Sequence, residues 1–496
     1  MKSIGLFLCA LMMTPAMAAA ADPAVEGAIR PQVQKIVEEI SAERIHDTVA
    51  KLVSFGTRNT LSAQDDPEHG VGAARKWIFA EFQSYSPRLQ VRYDHWRVKK
   101  TGRIFKDADL YNVIAVLPGK TMPEVEVVVS AHYDSINIGK APAQPAKGAS
   151  DNAVGERPLK VDWAKSAELP APGACDDGSG IAAVMELARV MSRYEFSKTL
   201  VFIAFAGEEQ GLVGSTLEAA KAKQDGTAIE AVLNNDIIGT DVTGNGRTGN
   251  SEVNVYSDDQ ADSRPQELAR YVEWAGARYL PSLKVNVQFA QDRLGRGGDQ
   301  TPFQQQGFSA VRITTPNEIY ANQHHETDTL ENMSVPYTTR VARLNAAAAA
   351  ALAMAPRTPD ISITAKTSSG SETDGGKSAA AGATAKPAET AAATPPALPR
   401  KLPMISRGKG YDAVLRWHAA AADANLKGYA VVMKPTAAPA WEQEIFVGKV
   451  TEFTLEGVSI DSTRFGVKAI GNDGTESLVA AYVYPPRAKV EYKTEQ

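Results

Sequence analysis

Between Tyr111 and Gly239 the chain alternates two kinds of segment. Continuous apolar runs, YNVIAVLPG, VEVVVSAH, TLVFIAFAG and AVLNNDIIG, are separated by stretches whose apolar residues recur at helical spacing, GIAAVMELARVMSRY and LVGSTLEAAKA. A strand that is apolar at every position must be covered on both faces. The pattern therefore predicts an α/β domain with a mostly parallel central sheet flanked by helices on both sides. Residues 23 to 90 carry helical periodicity instead, in VEGAIRPQVQKIVEEISAERIHDTVAKLVSF and GAARKWIFAEFQSY. The alanine-rich stretch from Leu344 to Ala355 reads as a surface or core helix.

From Pro356 to Lys401 the composition turns to Ala, Thr, Ser, Gly and Pro, and no aromatic residue occurs between Tyr337 and Tyr411. Such a segment reads as a flexible linker. Beyond it, YDAVLRW, GYAVVMK, EIFVG, TEFTL, TRFGVKAI and SLVAAYVY follow at short intervals, with a hairpin signal at Asn472-Asp473-Gly474. They predict a C-terminal all-β sandwich. With Trp417 and Tyr429, residues 402 to 487 resemble a fibronectin type III module, although Phe465 stands where that family usually carries a tyrosine. The expected organisation is a leader at 1–21, an α/β domain at 22–355 with an N-terminal helical segment, a linker at 356–401 and the sandwich at 402–496.

Composition narrows the partners. A formal net charge of −5 over 496 residues gives no basic footprint for nucleic acid. The opening Lys2, the apolar Ile4 to Met13 and the small residues at Ala16 to Ala18 read as a secretory signal, too short to span a bilayer. An exported protein, periplasmic or secreted, is expected, with no membrane span. Of the two cysteines, Cys9 lies in the leader, leaving Cys175 as a structural thiol without a disulfide partner. The C-terminal module could hold a surface, a polymer or the catalytic domain.

Polar residues at the ends of apolar strands carry the chemistry, because a charge in such a place is costly unless paired or bound to a cation. His132 follows a run of valines, with Asp134 two residues on to orient an imidazole. Asp176 and Asp177 precede a small-residue turn and a helix; a helix cap accounts for one of them, and two together suit a bridging carboxylate. Glu208 and Glu209 follow a wholly apolar strand. Neighbours on extended chain point to opposite faces, so Glu209 can hold a metal while Glu208 faces the attacking water. Asp236 ends another strand, and His324 and His325 offer one ligand between them. Two imidazoles and three carboxylates, one of them shared, suit two zinc ions, with manganese or cobalt as substitutes. Such a pair of ions is a hydrolytic centre.

The ordered set HYD, DDGSGIAA, FAGEEQGLVGS, NND and HHETDTL resembles the co-catalytic di-zinc exopeptidases, a family that includes secreted bacterial leucyl aminopeptidases and glutamate carboxypeptidase. The resemblance covers roughly residues 40 to 355. It implies that Asp176 bridges, that His132 and Asp236 hold one zinc, and that Glu209 and His324 hold the other. His324 is chosen over His325 because it lies four residues before Asp328. The resemblance further implies Glu208 as the base and Asp134 as the partner of His132, with peptides as substrates. Two departures stand out. Residues 139–172 form a Pro/Ala/Lys-rich insertion, and the family's assisting tyrosine has no clear match in LGRGGDQTPF, which leaves Tyr320 or Arg296 for that role. Glutaminyl cyclase is the competing acyl-transfer reading on this scaffold. GSGIAA and DTL favour the peptidase. The sequence reveals no arginine cluster for a carboxylate-rich substrate, which favours aminopeptidase over carboxypeptidase; a dipeptidase on the same scaffold stays an alternative.

Overall fold

The computed structural model describes residues 29–139, 161–364, 401–419 and 423–484. The expected leader, residues 140–160 of the insertion and residues 365–400 of the linker lie outside the described residues.

An eight-stranded sheet forms the larger body. Its strands are β1 (Gln90–Val98), β2 (Ala108–Leu117), β3 (Met122–His132), β4 (Lys198–Phe205), β5 (Ala228–Asn235), β6 (Glu252–Tyr256), β7 (Lys284–Gln288) and β8 (Ala310–Thr314), in the order β1-β2-β4-β3-β5-β8-β6-β7. The central four, β4-β3-β5-β8, run parallel. Antiparallel pairings join β2 to β4 and β6 to β8 on either side. Strand β1 is a further antiparallel addition whose polar, alternating sequence, QVRYDHWRV, gives no continuous apolar signal.

Period-two alternation divides the strand residues between two cores. Val127, Val129, Leu200, Phe202 and Ala204 face a large core, and Val128, Val201, Ile203 and Phe205 face a smaller one. Helices α1 (Pro31–Glu38), α2 (Ala42–Ser54), α3 (Gly70–Tyr85), α5 (Ser179–Met191), α7 (Arg264–Tyr279) and α9 (Val335–Met354) build the large core; the short α4 (Trp163–Ser166) lies in the insertion. Helices α6 (Val213–Asp225) and α8 (Gln300–Gln305) cover the other face. The alanine-rich segment is the core helix α9, with Ala346 to Ala353 buried; methyl side chains let α1, α5 and α7 pack closely around it. Among the described residues no helix is long and apolar enough to cross a membrane.

The expected linker begins later than its composition suggests. Ser362–Thr364 (β9) pairs antiparallel with Lys401–Pro403 (β10), so both ends of the excursion meet in one short ladder. Beyond it lie two antiparallel sheets. One contains Ile405–Arg407 (β11), Ala413–Arg416 (β12) and Glu452–Leu455 (β15). The other, in the order β14-β13-β16-β17, contains Leu426–Pro435 (β13), Gln443–Gly448 (β14), Thr463–Gly471 (β16) and Ala480–Ala481 (β17). Trp417 packs edge-on against Tyr429 in their core, with ring centroids 5.5 Å apart, and Phe465 is buried beside them.

This β-domain sits against α7. Lys434 Nζ stands 2.6 Å from Asp262 Oδ1, both side chains being 3% exposed. Arg270 pairs with Asp262 and Glu267, and the Trp441 indole N–H donates to Glu267 at 2.8 Å. Arg30, just before α1, reaches Asp473 at 2.6 Å. Leu478 joins the large core of the α/β domain.

Candidate metal centre

His132 ends β3, Glu208 and Glu209 follow β4, and Asp236 follows β5. All four therefore emerge at the carboxyl edge of the parallel strands, where α/β sheets present ligands. Asp176 and Asp177 come from the turn before α5, and His324 from the long loop after β8.

Asp176 occupies the middle. Its Oδ1 lies 3.2 Å from His132 Nε2, and its Oδ2 lies 3.1 Å from His324 Nε2. His324 Nε2 is also 3.3 Å from Glu209 Oε2, and His132 Nε2 is 3.9 Å from Asp236 Oδ1. The potential ligand atoms of Asp176, Glu209 and His324 fall within 4.8 Å of one another, as do those of His132, Glu208 and Asp236. Glu208 thus lies against the His132–Asp236 side. The other histidine, His325, turns its Nδ1 to the carbonyl of Gly139 at 2.8 Å. Ile138 donates to the carbonyl of His324, which ties the start of the insertion to this loop.

The two aspartates also divide. Asp177 Oδ1 accepts from the amides of Gly180 and Ile237, capping α5 and fixing the strand end beside Asp236. A Cβ at Gly180 would stand 2.4 Å from Asp177 Oδ2, which accounts for the small residue there. Asp176 is left facing the imidazoles. Asp328 holds this turn from below, accepting from the amides of Cys175 and Asp176 at 2.9 Å each. Burial pushes its carboxyl up to about 7. The cysteine is a half-buried neighbour of this turn, its thiol raised by desolvation and by Asp328.

Asp134 does more than orient an imidazole. Its carboxylate accepts from the amides of Glu208 and Glu209, each at 3.2 Å, and from the Thr60 hydroxyl at 3.1 Å. His132 Nδ1 is 3.7 Å from that carboxylate and 3.1 Å from the Asp134 carbonyl. One buried residue therefore positions both the histidine and the glutamate pair.

Backbone strain gathers here. Leu212, Ile237 and His324 hold positive φ values of 58°, 59° and 63°, and each lies close in sequence to a candidate ligand or is one. A β-branched residue such as Ile237 rarely adopts this region. Such conformations cost about 1–3 kcal/mol each and persist where surrounding bonds fix them.

The charge balance calls for cations. Burial and the surrounding carboxylates push Glu208 and Glu209 well above the usual range. For Asp176 burial acts in the same direction, yet hydrogen bonds from His132 and His324 outweigh it and hold the group well below. Glu209 Oε1 is buried with no hydrogen-bond partner among the described residues. Imidazole and carboxylate donors with an unpartnered buried oxygen fit divalent zinc.

Several residues of the site carry no local sequence signal. Arg312 on β8 is buried and bridges Asp236, at 3.1 Å, to Asp292; Arg293 continues the chain to Glu318. Buried Arg58 donates to the carbonyls of Tyr133, Pro172 and Gly173. Contrary to the sequence expectation, arginines do gather. A cleft of about 310 Å³ containing the candidate ligands is lined by Arg103, Arg296 and Arg312. They come from three separated segments, so no motif announces them. Arg296 lines this cleft, whereas Tyr320 is not among its lining residues.

The chain matches the model of Peptidase family M28 over residues 112–157 and 161–349. A probable zinc metalloprotease of Pyricularia oryzae is 33% identical over 482 residues, covering 90% of this chain and 83% of that protein. Another, of Leptosphaeria maculans, is 30% identical over 494 residues, covering 92% and 99%. Among solved structures, the LapA aminopeptidase of Legionella pneumophila aligns at 20% identity, covering 72% of this chain and 80% of that one, with a TM-score of 0.48. A glutaminyl cyclase of Macrostomum lignano aligns at 16% identity, covering 65% and 93%, also with a TM-score of 0.48.

Proposed function

The chain belongs to peptidase family M28 and is a zinc metallopeptidase, and we propose that it is an exported aminopeptidase that removes the N-terminal residue of peptides at a two-zinc centre. Asp176 would bridge the ions, with His132 and Asp236 on one and Glu209 and His324 on the other. Asp176 carries this reading: its two oxygens face two imidazole Nε2 atoms from opposite sides, at 3.2 and 3.1 Å. Bound zinc supplies Lewis acidity toward the scissile carbonyl and a water activated near neutral pH.

The remaining work falls to side chains. Glu208, on the cleft and beside the His132–Asp236 pair, takes the proton from the attacking water and returns it to the leaving amine. Asp134 accepts from the amides of both Glu208 and Glu209, so one carboxylate positions the base and the neighbouring ligand. The C-terminal sandwich is read as fibronectin type III-like, on the observation of three strands in one antiparallel sheet and four in the other. Export rests on the leader pattern at residues 1–21.

The test is hydrolysis of aminoacyl p-nitroanilides by the mature chain, before and after chelation and after zinc is restored. Release that is lost with the metal and regained with zinc is expected. Zinc-loaded protein that leaves every aminoacyl substrate intact would overturn the aminopeptidase assignment.

A further inference from the structure

The cleft is poorly built for a leucyl-type side chain. Among its described lining residues Leu212 alone is aliphatic, and the rest are acids, glycines, a histidine and three arginines. The arginines are not equivalent. Arg312 is buried and occupied by Asp236 and Asp292. Arg103 and Arg296 line the same cleft from two separate loops. Arg103, between β1 and β2, donates one nitrogen to the Glu209 carbonyl at 2.7 Å and lies over the Trp163 ring, 5.1 Å from its centroid. Arg296, between β7 and α8, donates one nitrogen to Gln323 Oε1 at 3.0 Å, next to His324. Each is thus anchored on a neutral oxygen within one residue of a candidate ligand. Among the described residues neither guanidinium forms an ion pair, each bonding instead to a neutral oxygen.

We propose that Arg103 and Arg296 form the recognition site for a carboxylate of the substrate, close to the bond that is cut. This rests on the peptidase reading above and adds the substrate class to it. A guanidinium keeps its charge at all working pH values and offers a planar fork of donors matched to a carboxylate. Bound zinc would offset the acids that line the cleft, so the two guanidinium groups remain as positive charge for an incoming anion. The carboxylate has two possible sources: the free C-terminus of a dipeptide, or an acidic side chain in a longer peptide.

The experiment uses the full chain with Glu208→Gln, loaded with zinc, so that ligands bind without turnover. Calorimetric titration compares alanyl-alanine, alanyl-alanine amide and alanyl-glutamate amide. A carboxylate-bearing ligand is expected to bind at least about tenfold more tightly than alanyl-alanine amide, as a charge-assisted bond allows. Preference for alanyl-alanine identifies the C-terminal source, and preference for alanyl-glutamate amide the side-chain source. Adding Arg103→Gln or Arg296→Gln should erase the advantage while binding of the neutral amide stays within about twofold, a control against direct binding of the carboxylate to zinc. Equal binding of acid and amide, or an advantage that survives both substitutions, would overturn the proposal. In the protein with Glu208 restored, the same arginine substitutions should raise KM for acid-bearing peptides while KM for neutral aminoacyl substrates changes little. Carboxylate-dependent binding that needs both arginines, in a protein that cleaves nothing, would support this site and count against the peptidase reading alone.

Discussion

Two regions of the molecule bury clusters of carboxylates, and they differ in where the compensating charge originates. At the face between the domains, Asp262 and Glu267 meet Lys434 and Arg270, cations from the chain itself. At the carboxyl edge of the sheet, Asp176, Glu208, Glu209 and Asp236 meet two imidazoles and one shared guanidinium, Arg312. The first cluster is complete as folded, and the second calls for cations from outside. Buried acids alone do not mark a metal site; the shortage of built-in counter-charge does. A third solution appears on α6, where Glu218 packs near Asp94 and burial pushes its carboxyl up to about 7. There a proton supplies the compensation.

The largest effects belong at the sheet edge. Asp176→Asn removes the oxygen charge between the two imidazoles and should abolish activity together with zinc content, read by elemental analysis of the purified protein. Glu208→Gln should lower kcat by about 10²–10⁴-fold, the range for a positioned acid–base group, with zinc content unchanged. Loss of zinc in the glutamine variant would move Glu208 from base to ligand, a distinction its closeness to His132 and Asp236 makes worth measuring.

At the domain face the expected loss is in stability rather than catalysis. Lys434→Met leaves Asp262 buried with Arg270 at 3.1 Å and Arg464 at 3.8 Å as its remaining cationic partners. With two guanidinium groups still facing Asp262, the loss should be about 1.5–3 kcal/mol in chemical denaturation, the range for a hydrogen bond to a charged group. The kcat/KM of the folded fraction should be unchanged, because this face lies on α7, away from the carboxyl edge of the strands. A parallel fall in kcat/KM would show that the β-domain supports the site.

The smallest effect concerns Glu218, which faces Asp94 with Arg92 and Lys221 nearby. Its carboxyl ordinarily titrates near 4.5 and is raised to about 7 in the folded chain. Below 4.5 the proton is present in both states. Between 4.5 and 7 the folded chain retains a proton that the unfolded chain has released, so this contribution to stability declines as pH rises and is lost above about 7. Glu218→Gln should flatten that part of the stability profile. An unchanged slope would mean the pair does not share a proton.

Much of this architecture is written in local patterns. Four mostly apolar runs announced a sheet covered on both faces, and polar residues at their ends, such as His132 and the Glu208–Glu209 pair, pointed to one edge of that sheet. Both signals survive because strand periodicity and the cost of a charge beside apolar residues act over a few positions. Strand β1 escaped because its one-sided burial leaves a polar, alternating sequence.

What the tertiary structure decided lies in pairings between distant residues. The division of Asp176 from Asp177 depends on which carboxylate the Gly180 and Ile237 amides reach. Asp134 serves the glutamate pair because β3 and β4 are neighbours in the sheet. Arg103, Arg296 and Arg312 converge from three segments, and Lys434 reaches Asp262 across 172 positions of chain. The sequence by itself determined where charge would be stranded. Only the fold determined what answers each charge, because Coulomb attraction and hydrogen bonding follow distance in space, whereas local periodicity records distance along the chain.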